Sequence, residues 1–131
     1  MITFTILPEK SVIVIRSIGE TPMEECIALM KTMREDPNFS DEFDVINDNR
    51  EMTSAYSIED IQEAIYHQKS YELSSTKKSK NAIVVREDLY FGVSRTYEML
   101  YELDNSNRTV EVFRDINSAL AWLEIDGLDI D

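Results

Sequence analysis

At 131 residues, 43% of them hydrophobic, the chain suits one domain with one ordinary core and excludes a largely disordered protein. Its 13 Lys and Arg stand against 26 Asp and Glu, and the net charge of −13 repels phosphate backbones and anionic bilayers, which excludes nucleic acid as a partner. The single cysteine, Cys26, excludes an intrachain disulfide, and neither a secretory leader pattern nor a membrane-length apolar run is present, so a cytoplasmic protein without integral membrane association is expected.

Ile2, Phe4 and Ile6 alternate with Thr3 and Thr5, the period of a strand. Pro8-Glu9-Lys10 turns the chain, and β-branched Val12 to Ile18 returns as a second strand in a hairpin. Thr21-Pro22-Met23-Glu24 reads as a helix start, with Thr21 as cap and Pro22 in the first turn. Met23, Cys26, Ile27, Met30 and Met33 form one apolar stripe at helical spacing, the pattern of a core face, and Asp36-Pro37 ends the helix. Phe43 to Asp48 is a third strand, and Asn49 to Tyr56 reads as a polar loop. Ser57 caps the next helix with Asp60 as its reciprocal partner, while Ile58, Ile61, Ala64, Ile65 and Leu73 face inward.

Ser74 to Ser79 reads as a loop and Asn81 to Val85 as a fourth strand. Arg86-Glu87-Asp88 leads into a third helix with Leu89, Val93, Thr96, Tyr97 and Leu100 on one face. Asp104 to Asn107 is a turn cluster. Arg108 to Arg114 is a fifth strand, and a helix from Ile116 to Leu123 follows it almost without a loop. The acidic tail from Glu124 to Asp131 either frays or docks through Ile125, Leu128 and Ile130. The order predicts an α/β single domain over residues 1–131: a five-stranded, mostly parallel mixed sheet with an N-terminal hairpin and four helices.

Asp36-Pro37-Asn38-Phe39 precedes Phe43-Asp44-Val45-Ile46-Asn47-Asp48-Asn49-Arg50. Ala82-Ile83-Val84-Val85 precedes Phe91-Gly92-Val93-Ser94-Arg95, and Val112-Phe113-Arg114-Asp115 precedes Ala119, Trp122 and Leu123. Over most of the chain these segments resemble the "DPxF…FDxLxDxR", "vAivv…yGmaR" and "VFRd…AlaWL" stretches of small bacterial STAS/SEC14-like proteins of the SpoIIAA-like family. The resemblance implies a SpoIIAA-like (STAS-like) sheet with helices packed on it. It also implies a non-enzymatic module, either for protein interaction as in anti-sigma antagonists or for a lipid or apolar anion as in SEC14-like relatives. The antagonists carry a phosphorylated serine in an Asp-Ser-x-Gly-like turn after the third strand. In this chain no glycine follows Ser54 or Ser57, and capping accounts for Ser57, which puts the phosphorylation switch in doubt.

Parallel sheets bind ligands at the carboxyl ends of their strands. That edge comprises Asp48 to Arg50, Arg86 to Phe91, and Arg114-Asp115. Arg50, Arg86, Arg95 and Arg114 either pair with neighbouring acids or form a basic cluster for an anion or a partner's carboxylates, with Tyr90 and Phe91 beside them. Gly92, inside a helix, serves close packing or the backbone approach of a partner. Asp48, Ser54 and Ser57 complete the candidate binding residues.

Cys26, between acids on an apolar stripe, reads as a core thiol, and His67 as a solvated helical histidine. One Cys and one His do not make a zinc site, the aspartates lack calcium-loop spacing, and no glycine-rich phosphate loop is present. No metal, cofactor or catalytic centre is therefore expected. A protein partner is expected, and a homodimer through a helix face or sheet edge is compatible with the pattern.

Overall fold

Ile2–Leu7 (β1) and Val12–Gly19 (β2) form the expected antiparallel hairpin in a computed structural model that describes residues 1–72, 78–86, 88–102 and 108–128, with side chains at all of these except 72, 88–91 and 102. Leu73, Ser74 to Lys77, Leu89, the cluster from Asp104 to Asn107 and Ile130 lie outside the described residues or side chains. A 3-10 turn at Pro8–Lys10 joins the two strands. Ser11 follows in the left-handed region at φ 53° and donates its N–H to the Pro8 carbonyl at 3.1 Å.

Asp44–Met52 (β3), Ser79–Val84 (β4) and Arg108–Phe113 (β5) continue from β2 in parallel, in the order β1-β2-β3-β4-β5. Met23–Arg34 (α1), Ile58–Glu72 (α2) and Asp88–Glu102 (α3) are the crossovers. Successive right-handed crossovers that advance in one direction put all three helices on one face. Ile116–Leu123 (α4) follows β5 after two residues and turns back onto the other face. Asp115 caps it by accepting from the Ser118 N–H at 2.8 Å.

Strand alternation sends successive residues to opposite faces. On the α4 face, Val12, Ile46, Ala82 and Val84 meet Ala119 and Leu123 in one continuous cluster. Ile125 and Leu128 pack on its rim and Lys10 Nζ donates to the Asp126 carbonyl at 2.8 Å, so the tail docks as far as it is described. The opposite face carries two separate clusters. Ile13, Ile15 and Val45 pack with Met33 of α1, and Ile83, Val110 and Val112 pack with Ile61, Ile65 and Tyr101 of α2 and α3.

Four expectations change. Thr21 does not cap α1: the N-cap is Pro22, without a side-chain bond, and Thr21 is fully buried, its hydroxyl donating to the Met1 carbonyl at 3.4 Å. Ile58 is 59% exposed rather than inward, and Tyr56, ahead of the helix, packs on the core cluster of Ile61 and Ile65. β4 begins at Ser79, where Lys80 N–H donates to Asp44 Oδ1 at 2.8 Å. β3 runs four residues past Asp48, through the segment that reads as a loop.

The cause of the β3 extension is a bulge. β2 takes two steps from Arg16 to Ile18 while β3 takes three from Asp48 to Glu51, so pairing resumes and reaches Gly19 opposite Met52. The extra residue turns Glu51 toward Arg16, a 2.8 Å ion pair, and Met52 toward the helices.

Candidate functional site

Between the two clusters under α1, α2 and α3 lies a cavity of about 160 Å³. Its sheet wall comes from inward positions of the central strands: Ile15 and Ser17 on β2, Val45, Asn47 and Asn49 on β3, Asn81 and Ile83 on β4. Met23, Cys26, Leu29, Met30 and Met33 of α1 form one side. Ile61, Ala64 and Gln68 of α2, with Val93 and Ser94 of α3, form the other. Met23, Cys26, Met30 and Met33 of the stripe that reads as core therefore face an opening, and of the stripe only Met33 is buried.

The wall is apolar with a polar band across its floor. Asn47 Nδ2 donates to Asn81 Oδ1 at 2.7 Å, which leaves the Asn47 carbonyl and the Asn81 amide N–H groups with no protein partner among the described residues. Gln68 and Ser94, 8% and 9% exposed, likewise make no side-chain hydrogen bond among the described residues. Such a band marks a place where water or a ligand supplies the missing bonds.

One rim of the cavity is a hydrogen-bonded corner. Tyr56 donates its phenolic proton to the Thr21 carbonyl, and its oxygen lies 3.5 Å from Cys26 Sγ. Burial pushes the Cys26 thiol up and, with Glu25 nearby, outweighs the Tyr56 hydrogen bond. Burial, then the Cys26 contact, raises the Tyr56 hydroxyl strongly. Both groups are protonated at neutral pH. Ser54 belongs to the same corner, its oxygen accepting from the Thr21 N–H.

The candidate residues read from the sequence are divided between the two sides of the sheet. Asp48 lies on the face opposite the cavity, 2% exposed. Arg50 grips it with Nε to Oδ1 at 2.8 Å and Nη2 to Oδ2 at 2.9 Å. Burial raises the Asp48 carboxyl, but the Arg50 hydrogen bonds and charge outweigh it and hold it below its usual range. Ser57 and Asp60 exchange bonds at 3.1 Å in a capping box. Arg95, on α3, pairs with Glu98 at 2.8 Å.

Arg86 and Arg114 are exposed at neighbouring strand ends, where Val85 N–H donates to the Phe113 carbonyl at 2.9 Å. The four arginines thus do not gather into one cluster: Arg50 is held on the α4 side and Arg95 on a helix of the other side. Gly92 is exposed, and a Cβ there would meet nothing within 4 Å, so neither tight packing nor a close backbone approach within the chain explains it. The side chains of Tyr90 and Phe91 lie outside those described. Of the sequence candidates whose side chains are described, Ser54 alone lines the cavity.

Asn47, Asn81, Gln68 and Ser94 were missed by sequence reasoning, although a signal exists. Asn47 and Asn81 hold inward positions two residues from apolar Val45 and Ile83, and Gln68 falls on the stripe of Ile61, Ala64 and Ile65. Among the described residues no group of three or more His, Cys, Asp and Glu is placed to hold a metal ion, and no helix is long and apolar enough to cross a membrane.

No family model and no curated protein matches the chain. Its structure is similar to the crystal structure of an uncharacterized protein of the DUF3478 family from Shewanella loihica PV-4, described as having a SpoIIAA-like fold. The TM-score is 0.60 at 15% sequence identity, over 93% of each chain. The chain has a SpoIIAA-like fold, the α/β mixed sheet that its sequence motifs implied.

Proposed function

We propose that the chain is a non-enzymatic, STAS-type domain that binds a small molecule in the cavity between its sheet and the α1–α3 layer. The observation that carries this reading is the polar band of Asn47, Asn81, Gln68 and Ser94, whose remaining donors and acceptors meet no protein partner among the described residues, inside an otherwise apolar cavity.

The non-catalytic part rests on the titratable groups at the rim. A thiol and a phenol both pushed up by burial are neither nucleophile nor base at neutral pH. The protein-interaction reading draws support from Ile58, Tyr66 and Met99, 59%, 72% and 60% exposed on α2 and α3. A domain that reports ligand occupancy to a partner across those helices reconciles the two readings.

Ala64→Leu tests the proposal, because the added methyl groups enter the cavity. In a melting-temperature screen of fragment-sized compounds, hits stabilise the wild-type protein, by about 2.7 kcal/mol at a hundredfold excess over Kd. They leave Ala64→Leu unchanged. Hits that stabilise both proteins equally, or a screen with no hits, overturn the reading.

A further inference from the structure

We infer that the α1 side of the cavity binds one soft monovalent metal ion, of the Cu(I) and Ag(I) class, through Cys26, Met23, Met30 and Met52. The inference stands apart from the small-molecule reading, because it uses the sulfurs of the wall and not its polar band.

Sulfur is concentrated at this one place. The chain has six methionines and one cysteine, and Met23, Met30, Met33, Met52 and Cys26 all line the cavity. The other two, Met1 and Met99, are 57% and 60% exposed. Methionine ordinarily fills irregular gaps in a core. Met33 does so, 4% exposed and packed with Ile13, Ile15 and Val45. The remaining sulfur residues border space that is still open, about 160 Å³ of it.

Cys26 is the centre of the set. Met23 and Met30 stand three residues before it and four after it on α1, the spacing that brings side chains on one helix face together, with Cβ atoms about 5–6 Å apart. Met52 enters the same corner from the end of β3, beyond the bulge that turns it toward the helices. Its sulfur lies 3.6 Å from the Tyr56 oxygen, and the Cys26 sulfur lies 3.5 Å from that same oxygen. One thiol and three thioethers, from two elements, are thus placed around one corner of an open cavity.

That donor set selects the metal. Thioethers are neutral and polarisable, and with a thiolate they suit Cu(I). Calcium and magnesium need oxygen ligands, and zinc takes thiolates, imidazoles and carboxylates. The thioethers coordinate with no change of protonation. Cys26 gives its proton to water as its metal–sulfur bond forms, and the thiolate neutralises the ion, so no other charge on the wall is needed.

Anaerobic titration of the full chain with Cu(I), in competition with a chromogenic Cu(I) chelator, tests the site. NMR of isotope-labelled methionine methyls during Ag(I) titration locates it. One ion per chain is expected, with shifts at Met23, Met30 and Met52 and none at Met1 or Met99. Loss of even an outer-shell partner weakens metal binding about 10–100-fold, so Met30→Leu and Met52→Leu are each expected to weaken Cu(I) at least about 10-fold, and Met99→Leu to leave it unchanged. Leucine nearly conserves the volume of methionine, so these variants keep the fold. Zn(II) in about 100-fold excess is expected to leave Cu(I) bound. No binding, displacement by Zn(II), or an affinity unchanged in both Met30→Leu and Met52→Leu, as a lone thiol would give, overturns the inference. Each of those results leaves the small-molecule reading to be decided by the fragment screen on Ala64→Leu.

Discussion

The two faces of the sheet are built from alternate residues of the same strands, yet they bury surface in opposite ways. Toward α4, Val12, Ile46, Ala82 and Val84 are each 0% exposed and meet Ala119 and Leu123 in one cluster. Toward α1–α3, the neighbouring positions include Asn47 and Asn81, and the apolar residues separate into two clusters around a cavity. One helix packs on the first face and three on the second. The amount of helix does not make an interior dry; the side chains at its centre do. An amide cannot be covered by leucine at no cost, so the layers stay apart where the amides sit.

The largest expected effect on this contrast comes from truncation. Leu123→Ala on the dry face should cost about 2–5 kcal/mol, because the lost contacts leave a hole in a close-packed layer. Met30→Ala, which borders space already present, should cost about 1 kcal/mol or less. Urea denaturation of both variants measures this, and equal losses would break the comparison.

Enlargement gives the converse. Ala82→Leu forces a side chain into a 0% exposed site and should destabilise by about 1–3 kcal/mol. Ala64→Leu, on the cavity, should stay within about 0.5 kcal/mol of wild type.

The smallest effect concerns the charged pair on the dry side. Asp48→Asn weakens the grip of Arg50 and should cost about 1–2 kcal/mol at neutral pH. The Asp48 carboxyl is held below its unfolded value, so its contribution is complete above about pH 3.9 and fades as pH falls through the folded value. The stability gap between wild type and Asp48→Asn should therefore close in acid, as denaturant titrations from pH 7 to pH 2 would show. A gap that persists would place the effect in packing instead.

Much of the fold was legible because its signals are local. The Ser57–Asp60 capping box, the β1–β2 alternation and the short step from β5 to α4 each depend on residues a few positions apart. The end of β3 was not legible. Asn49, Arg50 and Glu51 are polar on both faces, one into the cavity and two into ion pairs, so no period-2 apolar signal survives. Thr21 looked like a cap because cap and buried tie use the same hydroxyl, and only the position of Met1 distinguishes them.

The candidate site was hardly legible. An arginine at a strand end advertises itself, whereas Asn47, Asn81 and Gln68 are 34 residues apart or belong to different elements and look ordinary singly. The methionine stripe on α1 has the same spacing whether it meets a packed core or an open cavity.

By itself the sequence determined the order of elements, the hairpin followed by parallel strands, the Ser57 cap and the acidic surface, since periodicity and short-range hydrogen bonds act within a few residues. Only the tertiary structure decided which inward amides meet, which arginines are separated by the sheet, and where the interior stays open. Those outcomes depend on the distance between layers, and that distance is set by side chains far apart in the chain packing at the same time.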